Sequence, residues 1–399
     1  MNYKEIESVI TSMAVRQDTT GKRMRPCMLW GPPGVGKTHV MRSAAERYRE
    51  HVRKTHGQDA PFRTYELSLT TVDSVDLRGG LAIRRYLRDG DGHRLIGIQE
   101  SLSGTSSEDV CERTTWASPE FFPIFEECPH GVLILDDLSA AVPSVQVAAY
   151  ELLQFGTCGN AKLPPGWVVM AAGNGMDDRA VAYRMSSALS RRIVHIDFKV
   201  DVDLWIKWAL KAEIHPSVVG FVRYRPELLH AFNPEKLFQR TDGVASSLVE
   251  RTFACPATWE GLSDVLHAVG DNSPQVDELV PGVIGVTASV EFRAFLRLKG
   301  IPEAEDIFRS PDTVVLPVGN NGEYKVDVLY ATVANVTARV SDKTLGAAFQ
   351  FADRLGREGY EAYRTLIYRD ITGRLGGTVC SRQKRYKDWV VAWTELVNS

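Results

Sequence analysis

Residues 31–38 read Gly-Pro-Pro-Gly-Val-Gly-Lys-Thr, and this short motif restricts the fold of the chain more than any other feature. It follows the apolar run Cys27–Trp30 and precedes a segment with helical periodicity over residues 38–53. The pattern G-x-x-x-x-G-K-S/T between a strand and a helix is typical of a loop whose backbone N–H groups hold phosphate oxygens. The predicted phosphate-binding residues are Gly31, Pro32, Pro33, Gly34, Val35, Gly36, Lys37 and Thr38. We expect Lys37 to contact the β- and γ-phosphates of a nucleotide and Thr38 to bind Mg²⁺.

Further apolar runs predict the other strands of a parallel sheet. They cover residues 62–69, 131–135, 167–172 and 193–198, with helical patterns between them. Continuous apolar strands that alternate with helices indicate a parallel sheet with helices on both faces. From residue 200 onward helical periodicity dominates, over residues 202–211, 216–224, 259–269 and 288–298 and then near 324–340, 342–356, 358–373 and 382–397. We therefore predict an α/β nucleotide-binding domain over residues 1–199, a helical lid domain over 200–310 and a helical C-terminal extension over 311–399.

Polar side chains follow two of the predicted strands. Asp136 and Asp137 come after the run 131–135, and Asn174 comes after the run 167–172. A carboxylate beside a phosphate loop can hold Mg²⁺ through water, and a second carboxylate can deprotonate the attacking water. We assign the metal role to Asp136, the base role to Asp137 and a hydrogen bond to the γ-phosphate or the attacking water to Asn174. The alternative is that these residues only cap a helix or form turns.

Composition excludes several other classes. The 399 residues carry a net charge of −3, so the chain lacks the overall basic excess of a non-specific nucleic-acid binder. The absence of a long apolar run predicts a soluble, cytoplasmic protein without a membrane segment. The 6 cysteines form no C-x-x-C pair, and the 9 histidines form no H-E-x-x-H motif. We interpret the histidines as surface or core residues without a metal role.

With these motifs in order, the chain resembles the MoxR-like branch of the AAA+ ATPases over about residues 5–300. The resemblance is carried by the phosphate loop and by the segments 76–80, 131–154, 163–174 and 186–198. It is strongest to phage and bacterial versions, whose helical regions read like the segments 205–229 and 253–263. It implies an ATPase that forms a ring, usually a hexamer, and that binds ATP and Mg²⁺ at the subunit boundaries.

The resemblance also implies that an arginine from the neighbouring subunit completes each site. Arg192 occupies the finger position of this family, and Arg191 stands where Asn is usual, so the two can share or exchange the role. Arginine suits the finger role because its rigid, charged guanidinium group offsets the charge that develops on the phosphoryl group. The alternative is that both arginines are solvated surface residues.

Two positions depart from the family pattern. The usual Asp-Glu pair is Asp136-Asp137 here, and the shorter side chain moves the base by about one bond length. The second sensor arginine of the family aligns with Ala257, which cannot contact phosphate through its side chain. Either another arginine, such as Arg251 or one from a neighbour, replaces it, or the coupling between nucleotide and lid is weaker.

A predicted hairpin insert covers residues 81–115, centred on the turn sequence Arg-Asp-Gly-Asp-Gly-His at 88–93. In this family such an insert commonly faces the pore or the client. The resemblance therefore implies an ATP-hydrolysing chaperone that remodels or activates a protein partner, commonly one with a von Willebrand factor A domain. The alternatives are a nucleic-acid motor or loader, a GTP-using translocase, and a slow ATP-binding switch.

The side chains of the insert are compatible with a protein client and with a nucleic-acid client. Ile83, Tyr86 and Leu87 could contact a protein client through apolar burial. Four arginines could instead contact nucleic-acid phosphates, although acidic residues are interspersed among them. These are Arg84, Arg85, Arg88 and Arg94. Charge patterning favours a protein partner. A second, shorter hairpin is predicted over residues 157–166.

Overall fold

The computed structural model describes residues 1–89, 92–95, 110–123, 127–159, 161–175, 183, 185–232, 251–271, 273–298, 300–319 and 322–398. The chain divides into two compact units, Met1–Lys199 and Val200–Ser399. The division of the second unit into a lid at 200–310 and an extension at 311–399 stays a prediction.

The first unit has an α/β architecture. Its described strands are β1 (Cys27–Trp30), β2 (Phe62–Ser68), β3 (Gly80–Asp89), β4 (Gly92–Leu95), β5 (Val110–Ala117), β6 (His130–Asp136), β7 (Thr157–Cys158), β8 (Ala161–Lys162), β9 (Gly166–Gly173) and β10 (Val194–Asp197). Its described helices are α1 (Tyr3–Thr20), α2 (Lys37–His56), α3 (Ser74–Arg78), α4 (Pro143–Phe155) and α5 (Ser187–Ser190).

The central sheet has 5 strands in the order β10-β1-β9-β6-β2, and every neighbouring pair is parallel. Alternate residues of a strand point to opposite faces, and β6 follows this rule with apolar side chains on both sides. Val132 and Ile134 belong to a core formed with α1 and α2, whereas Leu133 and Leu135 belong to a core formed with α4. The strand order, the helices on both faces and the phosphate loop after β1 confirm the predicted α/β AAA+ P-loop fold.

Two smaller antiparallel sheets lie outside the central sheet. The first has the order β4-β3-β5 and falls in the region that the sequence indicates as an insert. The second pairs β7 with β8 after α4. A Cβ at Gly159, in the connection from β7 to β8, would lie 3.1 Å from Trp116 Cγ on β5, so the two small sheets are close to each other.

The second unit is helical. Its described helices are α6 (Val202–Lys211), α7 (Pro216–Tyr224), α8 (Pro256–Val269), α9 (Val276–Ile284), α10 (Val286–Leu296), α11 (Ala304–Arg309), α12 (Val326–Arg339), α13 (Leu345–Arg357), α14 (Glu361–Leu375), α15 (Gly377–Cys380) and α16 (Lys384–Asn398). Across the described residues of both units, no helix has the length and apolar character needed to cross a membrane.

Packing within the second unit joins its early and late helices. On α7, a Cβ at Gly220 would lie 3.3 Å from Ala331 Cα on α12, so these helices approach closely. Arg223 of α7 forms a buried ion pair with Asp370 of α14, and the two side chains are 3% and 2% exposed. Burial raises the pKa of Asp370, and the arginine charge opposes that shift. Helices from before and after residue 311, the predicted boundary between lid and extension, therefore pack into one common interior.

Candidate nucleotide site

The phosphate loop joins the carboxyl end of β1 to the amino end of α2. Gly34 and Gly36 have φ values of 75° and 97°, which glycine adopts without the steric cost of a Cβ atom. Gly36 is the N-cap residue of α2 and provides no side-chain hydrogen bond to the helix. The first N–H groups of α2 therefore lie at a positive helix end that suits phosphate oxygens.

Lys37 and Thr38 begin α2 and turn toward the ends of two other strands. The Lys37 Nζ atom donates to the carbonyl oxygens of Gly31 and Pro32 at 2.8 and 2.9 Å and to Oδ1 of Asn174 at 2.8 Å. The Thr38 hydroxyl donates to Oδ2 of Asp136 at 2.5 Å. The ends of β1, β6 and β9 therefore meet at one edge of the sheet. A hydroxyl and a carboxylate oxygen are the ligand types that Mg²⁺ prefers, so this pair fits the ion.

Asp137 has an unusual backbone conformation beside this pair. Its φ is 56°, in the left-handed region, which Asp tolerates better than most residues because its short polar side chain bonds locally. Its N–H donates to Oδ1 of Asp136 at 2.9 Å. Burial raises the pKa of Asp137, the negative charge of Asp136 adds to that shift, and Lys37 acts against it. A raised pKa brings a carboxylate closer to the range in which a general base works best.

Ser139 is a residue of this edge that the sequence motifs did not identify. Its hydroxyl accepts a hydrogen bond from the backbone N–H of Asn174 at 2.9 Å. Ser139 is only 2% exposed, so this contact fixes the end of β9 relative to the end of β6. The signal available in the sequence was its position two residues after Asp137, but serine is too common after a strand to mark a role.

Arg191 and Arg192 lie at the other edge of the sheet. They connect α5 to β10, and the N–H of Val194 donates to the carbonyl oxygen of Pro26 just before β1. The Arg192 guanidinium lies 5.4 Å from the ring centroid of Tyr150, whereas Arg191 is exposed. Because β1 spans four residues, or roughly 13 Å, the backbone of Arg192 lies about one strand length from the phosphate loop of its own chain.

Ala257 and Arg251 belong to the second unit. Ala257 is the second residue of α8 and is exposed, and its methyl group offers no hydrogen-bond donor. Arg251, the suggested replacement for the second sensor arginine, is also exposed. The role of either position stays a prediction.

The small sheet β4-β3-β5 separates the side chains of the insert into two faces. Leu81 and Ile83 are 67% and 70% exposed and lie on one face of β3. Arg85, on that face, forms an ion pair with Glu112 of β5 at 2.8 Å. The opposite face of β3 carries Arg84, Tyr86 and Arg88, by the alternation of a strand.

The opposite face also contains a pairing of like charges. Arg84 is directly opposite Arg113 in the register of β3 and β5, and both are exposed. Like charges directly opposite each other destabilise a sheet unless an anion lies nearby. The four arginines of the sequence prediction therefore do not form one group. The side chain of Arg94 lies outside the described residues.

Comparisons with known proteins give limited further information. No protein-family model matches the chain, and no curated protein matches it in sequence. Among solved structures, a mutant of Thermotoga maritima RuvB is 13% identical, covers 82% of this chain and 87% of that chain, and has a TM-score of 0.34. The structure of C. elegans PCH-2 is 10% identical, covers 84% of this chain and 68% of that chain, and has a TM-score of 0.30. The fold assignment therefore depends on the sheet order and the phosphate loop.

Proposed function

We propose that this protein is an ATP-hydrolysing AAA+ ring ATPase of the MoxR-like type that remodels or activates a protein partner. One observation carries the ATPase part of this proposal. Side chains from the ends of three parallel strands meet beside the phosphate loop, with Thr38 bonded to Asp136 and Lys37 bonded to Asn174. Each of these residues has a chemical role in phosphoryl transfer, and a chance loop does not explain their convergence.

The roles follow from the chemistry of each side chain. Thr38 and Asp136 would hold Mg²⁺, which neutralises charge on the phosphates when it is bound. Lys37 contacts the β- and γ-phosphates, and Asn174 orients the attacking water through its neutral amide. Asp137 accepts the proton of that water, a role supported by its raised pKa.

The position of Arg192 supports a ring. It lies at the amino edge of the sheet, whereas the phosphate loop lies at the carboxyl edge. An arginine that contributes to hydrolysis from this position acts on the site of a neighbouring subunit. Repetition of that contact around a closed ring, a hexamer in the resembled family, completes every site. Arg191 is adjacent and can share this role.

The apolar face of the insert supports a protein client. Leu81 and Ile83 are largely exposed side chains that can bury apolar surface against a partner. The paired charges of Arg85 and Glu112 on the same face reduce its attraction for phosphate. We infer that this face contacts the client, and the resemblance suggests a partner with a von Willebrand factor A domain.

A nucleic-acid client is the second candidate, and the opposite face of the insert favours it. Arg84 and Arg113 face each other across two strands, and Arg88 and the aromatic Tyr86 lie on the same side. Clustered arginines with an aromatic ring can bind phosphates and stack on bases. The two candidates therefore depend on different faces of the same strand.

The test is a pair of matched double variants on the two faces. Leu81→Ser with Ile83→Ser removes the apolar face, and Arg84→Gln with Arg113→Gln removes the like-charge pair. ATP hydrolysis and client binding are measured for both, with single- and double-stranded DNA and RNA as probes at about 50 and 200 mM salt, where phosphate-driven affinity falls steeply.

We expect Mg-dependent ATP hydrolysis by the wild type and loss of partner binding in the apolar-face variant only. Lys37→Ala should remove ATP binding because it deletes the cation at the phosphates. Salt-sensitive nucleic-acid binding that stimulates hydrolysis and disappears in the arginine variant would support the second candidate instead. ATP binding with equal affinity in wild type and Lys37→Ala would contradict the ATPase proposal itself.

A further inference from the structure

A cluster of histidines surrounds one buried carboxylate at the amino edge of the central sheet. Oδ2 of Asp18 lies 3.0 Å from Nε2 of His56 and 3.3 Å from Nε2 of His51, and Oδ1 lies 3.1 Å from Nε2 of His130. The sequence pattern gave these histidines no common role, and the fold brings three of them to one carboxylate. Asp18 lies on α1, His51 and His56 lie on α2, and His130 begins β6, so elements distant in the chain meet here.

The Asp18 carboxylate is buried among imidazole rings. The Asp18 side chain is only 5% exposed, and the described ion pairs of this residue are all with histidine. A buried carboxylate without a positive partner is unfavourable. A metal cation bound between the carboxylate and the imidazoles would supply that positive partner.

We propose that Asp18, His56 and His130 form a binding site for a divalent transition-metal cation such as Zn²⁺, with a fourth position open to water. The ligand atoms of Asp18, His56 and His130 all lie within 4.8 Å of one another. Tetrahedral zinc has ligands at about 2.0–2.2 Å, which places the ligand atoms about 3.4 Å apart. His56 faces Oδ2 of Asp18 and His130 faces Oδ1, so ligand atoms that lie up to 4.8 Å apart would move closer together when the ion binds.

The surroundings hold the rings in place for this role. Gly166 is paired with His130 in the sheet, and a Cβ at Gly166 would lie 2.5 Å from His130 Cδ2, so the ring packs directly on the glycine backbone. The His51 ring stacks on Tyr48, with centroids 6.4 Å apart. Tyr48 is itself fixed by a hydrogen bond from its hydroxyl to the Gly166 carbonyl oxygen at 2.9 Å. His56 is 38% exposed and leaves a path for the ion from solvent.

The ligand types distinguish this site from the nucleotide site. Imidazole nitrogen suits zinc, copper, iron and nickel, whereas Mg²⁺ prefers oxygen ligands in octahedral geometry. A transition-metal ion should therefore bind the histidine cluster without competition from the Mg²⁺ that accompanies ATP. Its effect would be to join the carboxyl end of α1, the carboxyl end of α2 and the start of β6.

The experiment uses the full chain without a histidine tag, stripped of metal with a chelator. Zn²⁺ is titrated by calorimetry, thermal unfolding is followed with and without Zn²⁺, and Co²⁺ is used as a spectroscopic probe of tetrahedral coordination. The variants are His56→Gln, His130→Gln and the isosteric Asp18→Asn, with His267→Gln as a matched control because His267 is exposed in the second unit. Circular dichroism checks that each variant is folded.

We expect one Zn²⁺ per chain, a higher melting temperature with Zn²⁺ and visible absorption of tetrahedral Co²⁺. Each cluster variant should lower the zinc affinity by about 10-fold or more, since even residues that only orient metal ligands have effects of about 10- to 100-fold. The His267→Gln variant should match the wild type. Zinc affinity that is equal in the wild type and in the folded cluster variants would overturn the proposal. So would an absence of zinc binding by the wild type.

Discussion

The two ends of strand β6 carry different chemistry, although roughly 20 Å separate them. His130 begins the strand beside a carboxylate and two further imidazoles, and Asp136 ends it beside the hydroxyl of Thr38. The carboxyl end offers oxygen atoms and a loop of N–H groups, which suit a nucleotide with Mg²⁺. The amino end offers nitrogen atoms around one buried carboxylate, which suit a transition metal.

Under the two proposals, the carboxyl end carries a site for ATP hydrolysis and the amino end carries a site that stabilises the structure. At the carboxyl end, the Lys37 ammonium donates to carbonyl oxygens of the loop, and the phosphate oxygens of a nucleotide can replace these acceptors. At the amino end, the rings are fixed by Tyr48 and Gly166, which belong to the packed interior. We therefore expect changes at the carboxyl end to affect rates and changes inside the amino-end cluster to affect stability.

The largest expected effect comes from Arg192, an amino-edge residue that acts outside the histidine cluster. Arg192→Ala should retain ATP binding and lower the hydrolysis rate by about 10³- to 10⁵-fold, because an arginine finger contributes on that scale. Mixing this variant with Asp137→Asn should restore activity, since some boundaries then have both an intact arginine and an intact base. The measurement is steady-state hydrolysis of the mixture against the separate variants.

Arg309→Ala is the control for this experiment, because Arg309 is an exposed arginine of the second unit. Rings that contain both variants but show no recovery would argue against action between subunits. A larger loss of ATP hydrolysis in Arg191→Ala than in Arg192→Ala would assign the finger role to Arg191.

The next effect concerns the base at the carboxyl end. Asp137→Asn should keep ATP binding and lower the hydrolysis rate by about 10²- to 10⁴-fold, because an amide cannot accept the proton of water. Asn also tolerates the left-handed backbone at this position, so the variant tests charge and not strain. Single-turnover hydrolysis and ATP affinity are the measurements. Turnover equal to that of the wild type would remove Asp137 from the mechanism.

Gly166→Ala tests the amino end without touching a ligand. The added Cβ would lie 2.5 Å from His130 Cδ2 and 2.7 Å from the Pro129 carbonyl oxygen. Such overpacking should lower the free energy of unfolding by about 1–3 kcal/mol and reduce zinc affinity, while ATP affinity stays unchanged. Denaturant unfolding and zinc titration measure this. Gly282→Ala is the matched control, because an added Cβ there meets no atom within 4 Å. Unchanged stability and zinc affinity in Gly166→Ala would show that the ring position is not set by this contact.

The smallest expected effect is a shift in the pH dependence of hydrolysis. Burial and the Asp136 charge raise the pKa of Asp137, and a base must be ionised to act. The rate should therefore fall, as the pH is lowered, at a higher pH than the value near 3.9 that is typical of an unperturbed Asp. The measurement is kcat against pH at saturating ATP. A rate that stays constant down to about pH 4 would contradict the raised pKa.

The sequence predicted the carboxyl end of β6 and missed the amino end, for a physical reason. The phosphate loop is contiguous, and its partners Asp136 and Asn174 follow apolar strands whose carboxyl ends meet at one edge. The histidine cluster has no local motif. Asp18, His56 and His130 come together only through the packing of α1 and α2 and the position of β6 in the sheet.

In the helical unit, too, the sequence predicted only some of the elements. Periodicity predicted α6 and α7 with the bounds that the structure has. Helix α6 buries one apolar face, whereas α7 is buried in succession over residues 218–223. It did not predict α9, since Pro281 lies inside that helix and proline ordinarily ends one. It also did not predict the short α11, whose six residues are too few for a periodic signal.

The ion pair between Arg223 and Asp370 has a consequence for how the second unit can be divided. Loss of Asp370 alone would leave the Arg223 guanidinium buried without its partner, at about 3–5 kcal/mol, a large part of a typical stability of about 5–15 kcal/mol. A cut before residue 311 would instead remove α12 and α14 together and expose both Arg223 and the side of α7 that packs on α12. The segment 200–310 is therefore expected to be less stable without the helices that follow it.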